Sequence, residues 1–165
     1  MHIKIIICSI FSILFFNLGA QKDIEQIFRK YKNDEGVVNM NFTGEVLKMI
    51  NSTESKIKSS VDVVDILVFN ENDDISSSDK AKISEVLQRE KFDLLIDVKN
   101  KTQKVKLYAV ETGSFLNKVY AHVNSSEMNA YFILTGKIIF EELAKLGLDF
   151  QSGDALKILE GSKKK

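Results

Sequence analysis

Cysteine, proline and tryptophan are almost missing from this chain. Its 165 residues include one cysteine, no proline and no tryptophan. That cysteine, Cys8, lies in an apolar run at the N terminus, so the remaining chain has no thiol for a disulfide, a zinc site or a nucleophile. Histidine is also scarce, because His122 is the only one beyond His2. These absences argue against zinc enzymes and cysteine-based catalysis, and they leave a Ser-His-Asp hydrolase a single candidate base.

An excess of charge of either sign is missing as well. The chain has 23 basic and 23 acidic side chains, for a formal net charge of +0. A protein without a positive field has nothing to attract a phosphate backbone, so we expect no nucleic-acid partner. Glycine-rich phosphate loops and dinucleotide fingerprints are missing too. We therefore expect no cofactor and no metal.

The first 20 residues have the layout of a secretory signal peptide. Lys4 gives a basic start, residues 5–18 form an almost unbroken apolar run that is short for a membrane span, and Gly19 and Ala20 are small. We predict cleavage after Ala20 and export to the periplasm, the cell envelope or the medium; a retained N-terminal anchor helix is the alternative. After cleavage the protein would not be an integral membrane protein. Its net charge would be −1, because losing Lys4 leaves 22 basic against 23 acidic residues.

Four consecutive β-strands are predicted between residues 92 and 136. In at least three of them apolar and polar residues alternate with period two, which places one set of side chains in a core and the other set on the opposite face of the sheet. Short polar connections separate the strands, so neighbours should pair as hairpins. The predicted strands of this meander are 92–99, 104–110, 115–123 and 129–135.

Four helices are predicted around the meander, at residues 23–32, 43–50, 79–91 and 137–146, with Ser78 as the cap of the third. Two further strands are predicted at 37–42 and 61–69. The second of these is apolar almost throughout, which favours an interior strand with parallel pairing. The predicted order is α-β-α-β-α-β-β-β-β-α in one domain over residues 21–160, followed by a disordered basic tail at 161–165. We expect an α+β two-layer sandwich, with a mixed, mainly antiparallel sheet and helices mostly on one face.

One face of the predicted meander carries the most unusual side chains. If the apolar set that includes Leu94, Leu107 and Val119 faces the helices, then two tyrosines, a histidine, two lysines and an aspartate share the other face. A surface of this composition suits a protein partner or a small polar ligand. Two other interpretations stay open: a solvated face with cross-strand charge pairs, and a homodimer interface. The candidate binding residues are Tyr108, Tyr120, His122, Lys106, Lys118 and Asp97.

A small envelope hydrolase with an aspartate-based site is the alternative function. Asp65, Asp93 and Asp97 are the candidate carboxylates. Period two places Asp93 and Asp97 on the same face, about 13 Å apart along the strand, which is wider than either class of glycosidase uses. A triad of Ser114 with His122 lacks the G-x-S-x-G elbow. We therefore assign no catalytic residue.

Several hydrophobic and turn positions resemble those of a known family. They are Ile27-Phe28 with Tyr31, then Gly36-Val37-Val38, the strand that ends at Phe69, and the Phe-x-Leu-Leu strand that starts at Phe92. Together they resemble a family of small exported bacterial proteins, typical of Bacteroidetes and catalogued as a domain of unknown function. The resemblance implies an exported cell-envelope protein without an established activity. We expect a non-enzymatic binding or interaction module.

Overall fold

The structure is a computed structural model that describes residues 23–44, 59–70 and 73–143. The predicted signal peptide, the predicted second helix beyond Gly44 and the basic tail lie outside these residues. The described elements begin with helix α1 (Ile24–Tyr31), strands β1 (Val37–Thr43) and β2 (Ser60–Asn70), and helix α2 (Ser77–Arg89). Strands β3 (Asp93–Lys99), β4 (Gln103–Thr112), β5 (Phe115–Ser125) and β6 (Met128–Ile138) follow, and a 3-10 turn lies at Phe140–Glu142.

The six strands form one sheet in the order β1-β2-β6-β5-β4-β3. The predicted meander is confirmed, because β3, β4, β5 and β6 pair in succession. Strand β6 also pairs with β2, and β2 pairs with β1, so the meander and the first hairpin share one sheet. An α+β fold is therefore correct.

The predicted parallel pairing of β2 is wrong. Every strand pair in the described sheet is antiparallel, so the sheet is not mixed and β1 and β2 are not joined by a parallel crossover. The apolar run of β2 has a different cause. Leu67 and Phe69 of this strand pack in one core while Val64 and Ile66 pack in another, on the other side of the sheet. A continuous apolar run reports burial on both faces and says nothing of strand direction.

Both described helices lie on the same face of the sheet, which we call the helix-covered face. Helix α1 starts where the Asp23 side chain accepts a hydrogen bond from the Gln26 backbone N–H. Helix α2 is capped in the same way by Ser76, two residues before the predicted cap. The apolar stripe of each helix packs against Leu67, Phe69, Tyr120, Tyr131 and Ile133 of the sheet: Ile24, Ile27 and Phe28 from α1, and Ile83, Val86 and Leu87 from α2.

The opposite face of the sheet has its own buried core. Val105, Leu107, Val119 and Phe132 are at most 1% exposed there, and Phe140 and Leu143 of the final turn pack against the same cluster. Both faces of the central strands are thus buried, whereas one face of the meander was expected to be open to a ligand, to solvent or to a second copy. None of the helices in the described residues is long and apolar enough to cross a bilayer.

The last predicted helix does not begin at residue 137, because strand β6 continues to Ile138. Gly136 lies inside this strand, opposite Val61, next to an irregularity in the β2–β6 register. A Cβ atom on Gly136 would lie 2.2 Å from the Ser60 carbonyl oxygen and 2.9 Å from the Val61 Cα. Glycine at this position therefore allows a close approach of two backbones and does not end the strand.

Candidate functional site

The six candidate binding residues share one face, as period two predicts. In the register of the sheet, Tyr108 lies opposite Tyr120, Lys106 lies opposite both His122 and Asp97, and Lys118 lies opposite Val110. The orientation of that face was predicted wrongly, because it is the helix-covered face. Tyr120 is only 5% exposed beneath the helices. Alternation separates two faces, but both faces here carry enough apolar side chains to attract a helix, so the pattern could not choose between them.

Tyr108 and Tyr120 form an aromatic pair that supports helix α2. Their ring centroids are 6.1 Å apart at an interplanar angle of 44°. Both rings belong to the cluster that contains Ile83 and Val86 of α2. Burial raises the pKa of the Tyr120 phenol, with smaller contributions from Tyr108 and Asp74. Tyr120 is therefore a core residue, and Tyr108, which is half-buried, keeps one side towards solvent.

His122 lies against a neighbouring ring on the adjacent strand. It stacks on Tyr131, with centroids 4.2 Å apart and the two planes within 3° of parallel. Burial lowers the pKa of His122, although the charge of Asp74 opposes this shift. The Nε2 atom of His122 is buried and has no hydrogen-bond partner among the residues that the structure describes. A neutral, largely buried imidazole of this kind packs as an aromatic residue.

Asp74 joins the loop before α2 to the middle of the sheet. Its carboxylate accepts hydrogen bonds from Lys80 and from the Tyr131 hydroxyl, and from the Ile75 backbone N–H at 2.8 Å. Burial alone would raise the pKa of Asp74, but the hydrogen bonds from Lys80 and Tyr131 outweigh it and hold the pKa below its ordinary value. Burial raises the pKa of Tyr131, and its hydrogen bond to Asp74 raises it further.

Asp79 makes the tightest connection between the two helices. Its side chain, 6% exposed, accepts hydrogen bonds from Lys30 Nζ at 2.6 Å, Tyr31 Oη at 2.9 Å and Lys82 Nζ at 2.9 Å. The hydrogen bond from Lys30 lowers the pKa of Asp79 most, and burial opposes it. The Tyr31 hydroxyl also accepts a hydrogen bond from the Ser76 backbone N–H at 3.0 Å. The end of α1 is thus fastened to the start of α2.

Lys118 fastens the other ends of the same helices to strand β5. Its Nζ lies 3.4 Å from the Glu25 carboxylate of α1 and 3.3 Å from the Glu90 carboxylate at the end of α2. Burial would lower the pKa of Lys118, but the two carboxylates raise it above its ordinary value. Lys106, by contrast, makes one ion pair with Asp97 at 3.6 Å, and both side chains are about half exposed.

The three candidate catalytic aspartates do not come together. A β-bulge between Leu94 and Ile96 places Asp93 and Asp97 on opposite faces of the sheet, contrary to the prediction, because they lie opposite Ala109 and Lys106 respectively. Asp65 on β2 lies four strands from β3, about 19 Å at the usual strand spacing. It accepts a hydrogen bond from Asn41 at 2.6 Å instead.

The other catalytic and metal arrangements are not formed in the described part of the chain either. Ser114 lies in the β4–β5 turn, eight residues from His122, which is about 26 Å along an extended strand. Within residues 23–44, 59–70 and 73–143 no group of three or more histidine, cysteine, aspartate and glutamate side chains could hold a metal ion.

Tyr131 and Asp74 were not predicted from the sequence as members of this cluster. The position of Tyr131 could have been predicted, because the β5–β6 turn sets a register that places Tyr131 opposite His122. The position of Asp74 could not have been predicted, because the hydrogen bond from Tyr131 to Asp74 joins residues 57 positions apart. No local pattern reports a contact at that separation.

Comparison with known proteins identifies a family that matches most of the chain. The model of a family described as a domain of unknown function, DUF4252, matches residues 31–146, a range that contains the whole sheet and α2. Neither the curated proteins nor the solved structures contain a match to the chain. Because the family model covers more than half of the sequence, the chain belongs to the DUF4252 family.

Proposed function

We propose that the protein is exported to the cell envelope and acts there as a non-enzymatic binding or interaction module. The observation that carries this proposal is the state of the polar groups beneath the helices. Asp74, Asp79 and Lys118 are each held charged by ion pairs and hydrogen bonds, which join the two helices to each other, to the sheet and to the loop before α2. These are contacts that stabilise a fold, and they leave the side chains little freedom to transfer protons.

General acid–base catalysis favours the opposite arrangement. An efficient acid or base has a pKa close to the working pH and reaches its substrate through one hydrogen bond. The pKa values of Asp74 and Asp79 are both lowered, so neither carboxyl carries a proton to donate near neutral pH. The Nε2 atom of His122 is enclosed by protein. These features support a binding role over the alternative of an aspartate-based envelope hydrolase.

The binding surface that we propose lies at the margin of the helix-covered face. It consists of Leu94 and Asp97 on β3 with Lys106 and Tyr108 on β4, and we call it the β3–β4 surface. Leu94 is 48% exposed and lies opposite Tyr108, while Lys106 lies opposite Asp97. An apolar side chain, a half-buried phenol and a charge pair suit a ligand with both apolar and polar parts, such as a peptide or a glycan. Tyr120, His122 and Lys118 support this surface from beneath the helices.

A thermal-shift panel of short peptides and envelope glycans tests the surface. We expect a ligand that raises the melting temperature of the wild type and of Glu127→Ala, an exposed control in the β5–β6 turn, but not that of Tyr108→Ala. A ligand that protects Tyr108→Ala as well as the wild type would place the binding site elsewhere.

A substrate screen tests the non-enzymatic part of the proposal. The chain from Gln21 onward is assayed against broad esterase, glycosidase and peptidase substrates beside His122→Ala, with the melting temperature of each measured to show that it is folded. We expect no turnover above that of heat-denatured protein. Turnover that a folded His122→Ala variant loses would overturn the proposal in favour of the hydrolase.

Export is tested separately, by N-terminal sequencing of the protein recovered from the cell envelope. We expect the chain to begin at Gln21. A chain that keeps Met1 would contradict cleavage after Ala20 and favour the retained anchor.

A further inference from the structure

The two edge strands of the sheet differ in how well they are protected against pairing with another chain. Strands β1 and β3 each have seven residues and lie at opposite ends of the strand order, and no described strand pairs with the outer edge of either. Each edge also carries one of the two exposed large hydrophobic side chains of the described residues: Val38 on β1 at 55% and Leu94 on β3 at 48%.

Strand β3 has the features that keep a sheet edge from pairing with another chain. Asp93, Asp97 and Lys99 place three charges along its seven residues. A β-bulge between Leu94 and Ile96 breaks the regular spacing of its backbone groups. Charges and bulges are the means by which natural sheets discourage edge-to-edge association.

Strand β1 has none of these features. Its sequence Val-Val-Asn-Met-Asn-Phe-Thr contains no charged residue and no proline. Its seven residues pair with β2 in an unbroken register, from Val37 opposite Phe69 to Thr43 opposite Val63, so the strand has no bulge. A regular, uncharged edge with an exposed valine is a template for a further strand.

We propose that β1 pairs antiparallel with β1 of a second copy of this chain, about a twofold axis at Met40. The strand is complementary to itself in this register. Val38 faces Phe42 of the second copy, Met40 faces Met40, and Asn39 faces Asn41, so apolar residues meet apolar residues and amides meet amides. The alternation is kept, because Val38, Met40 and Phe42 lie opposite Val68, Ile66 and Val64 of β2 and share one face.

The same register is the one that pairs the most residues. With the axis at Met40, all seven residues of one strand find a partner, and Val37 meets Thr43 at each end. Moving the axis to Asn39 or Asn41 leaves two residues of each strand unpaired and places valine or threonine opposite asparagine. A twofold contact of this kind is closed, so it makes a dimer with a continuous sheet and does not make a fibre.

The proposed β1–β1 contact is small, so we expect it to be weak. A single pair of seven-residue strands buries less than the roughly 1,600 Å² of a standard interface. We therefore expect a dimer that dissociates on dilution. The dimer does not depend on the proposed binding role, because the β3–β4 surface lies at the other end of the strand order and stays free in the dimer.

Sedimentation equilibrium over a hundredfold range of concentration, with protein produced from the full-length chain, tests the dimer. Val38→Lys adds a charge to the β1 edge, and Leu94→Lys adds the same charge to a similarly exposed position on the β3 edge. We expect the average mass of the wild type and of Leu94→Lys to rise from one chain towards two, while Val38→Lys stays at one chain throughout. A wild type that stays monomeric, or two lysine variants that behave alike, would overturn the proposal.

Cysteine cross-linking tests the position of the axis. In a chain whose sole cysteine is removed by Cys8→Ser, Met40→Cys places a thiol on the axis, where facing Cα atoms lie about 4.5–5.5 Å apart, within disulfide range. Val38→Cys is the matched control, because two copies of residue 38 would lie four residues apart, about 13 Å. We expect mild oxidation to link Met40→Cys into dimers and to leave Val38→Cys unlinked. Failure of Met40→Cys to link, or equal linking of Val38→Cys, would refute this register.

Discussion

At the scale of single residues, His122 shows how burial changes the role of a side chain. From the sequence alone it is the one candidate base and a candidate ligand-binding residue. In the structure its ring stacks on Tyr131, and burial lowers its pKa. The membership of the six candidate residues in one face could be predicted, because a strand has period two. Their burial could not be, because it depends on which face the helices cover.

Stability below neutral pH should depend on His122. Since its pKa in the folded state lies below the value of about 6.5 in an unfolded chain, the unfolded chain binds more protons between these two pH values, and folding is weakened as the pH falls below about 6.5. His122→Phe keeps a ring to stack on Tyr131 and cannot titrate. We expect urea unfolding between about pH 7.5 and pH 5 to show a larger loss of unfolding free energy for the wild type than for His122→Phe. Equal losses would contradict the assigned pKa shift.

The close backbone packing at Gly136 can be tested by substitution. Gly136→Ala introduces a Cβ that clashes with the Ser60 carbonyl oxygen and the Val61 Cα, and these backbone atoms can move only by disturbing the β2–β6 pairing. Gly113→Ala is the matched control: this glycine also has a positive φ, but nothing lies within 4 Å of its Cβ position. We expect urea unfolding to show that Gly136→Ala is less stable than Gly113→Ala by about 1–3 kcal/mol, the usual cost of overpacking. A smaller loss for Gly136→Ala than for Gly113→Ala would show that the two strands do not approach as described.

At the scale of elements, the two helices are fastened directly to each other at one end and through a lysine of the sheet at the other. Asp79, Lys30 and Tyr31 connect the end of α1 to the start of α2, and Lys118 joins the other ends through Glu25 and Glu90. Short helices depend on such tertiary contacts, because a helix of eight residues has little stability of its own.

Lys118 and Lys106 allow the ion pairs that connect the helices to the sheet to be compared with an ion pair on the surface. Lys118→Met keeps most of the apolar stem but leaves Glu25 and Glu90 without their shared cation at a partly buried site, so we expect a loss of about 1–3 kcal/mol in the free energy of unfolding. Lys106→Met removes one ion pair between half-exposed side chains and should cost about 0–1 kcal/mol. Urea denaturation of both variants beside the wild type makes the comparison. A Lys106→Met loss as large as that of Lys118→Met would contradict the connecting role of Lys118.

The sequence was most informative about the elements whose partners are local. The four strands of the meander and both described helices were predicted within a few residues, because hairpin pairing and helical periodicity act over short separations. The errors concern partners that are distant in the chain. The direction of β2 depends on β6, and the extension of β6 to Ile138 depends on its pairing with β5 and β2. No local sequence pattern predicts either of these pairings.

At the scale of the whole molecule, the sheet has two ends of different character. At one end the β3–β4 surface presents Leu94, Tyr108 and a charge pair to solvent, and at the other the β1 edge is uncharged and complementary to itself. Between them the polar groups beneath the helices hold the layers together. The two proposals use opposite ends of this arrangement, a ligand surface at β3 and β4 and pairing with a second copy at β1.

The central claim is that the ion-paired and hydrogen-bonded polar groups at the helix-covered face, among them the partly buried Asp74, stabilise the fold and do not serve catalysis. Asp74 tests it most directly, because this carboxylate contacts Tyr131 and Lys80 and lies close enough to influence the pKa of His122. The measurement is the free energy of unfolding of Asp74→Asn relative to the wild type, by urea denaturation at neutral pH. We expect a loss of about 1–3 kcal/mol, because Lys80 and Tyr131 lose a charged acceptor. An Asp74→Asn variant more stable than the wild type would contradict the claim, since active-site groups are characteristically held at a cost to stability.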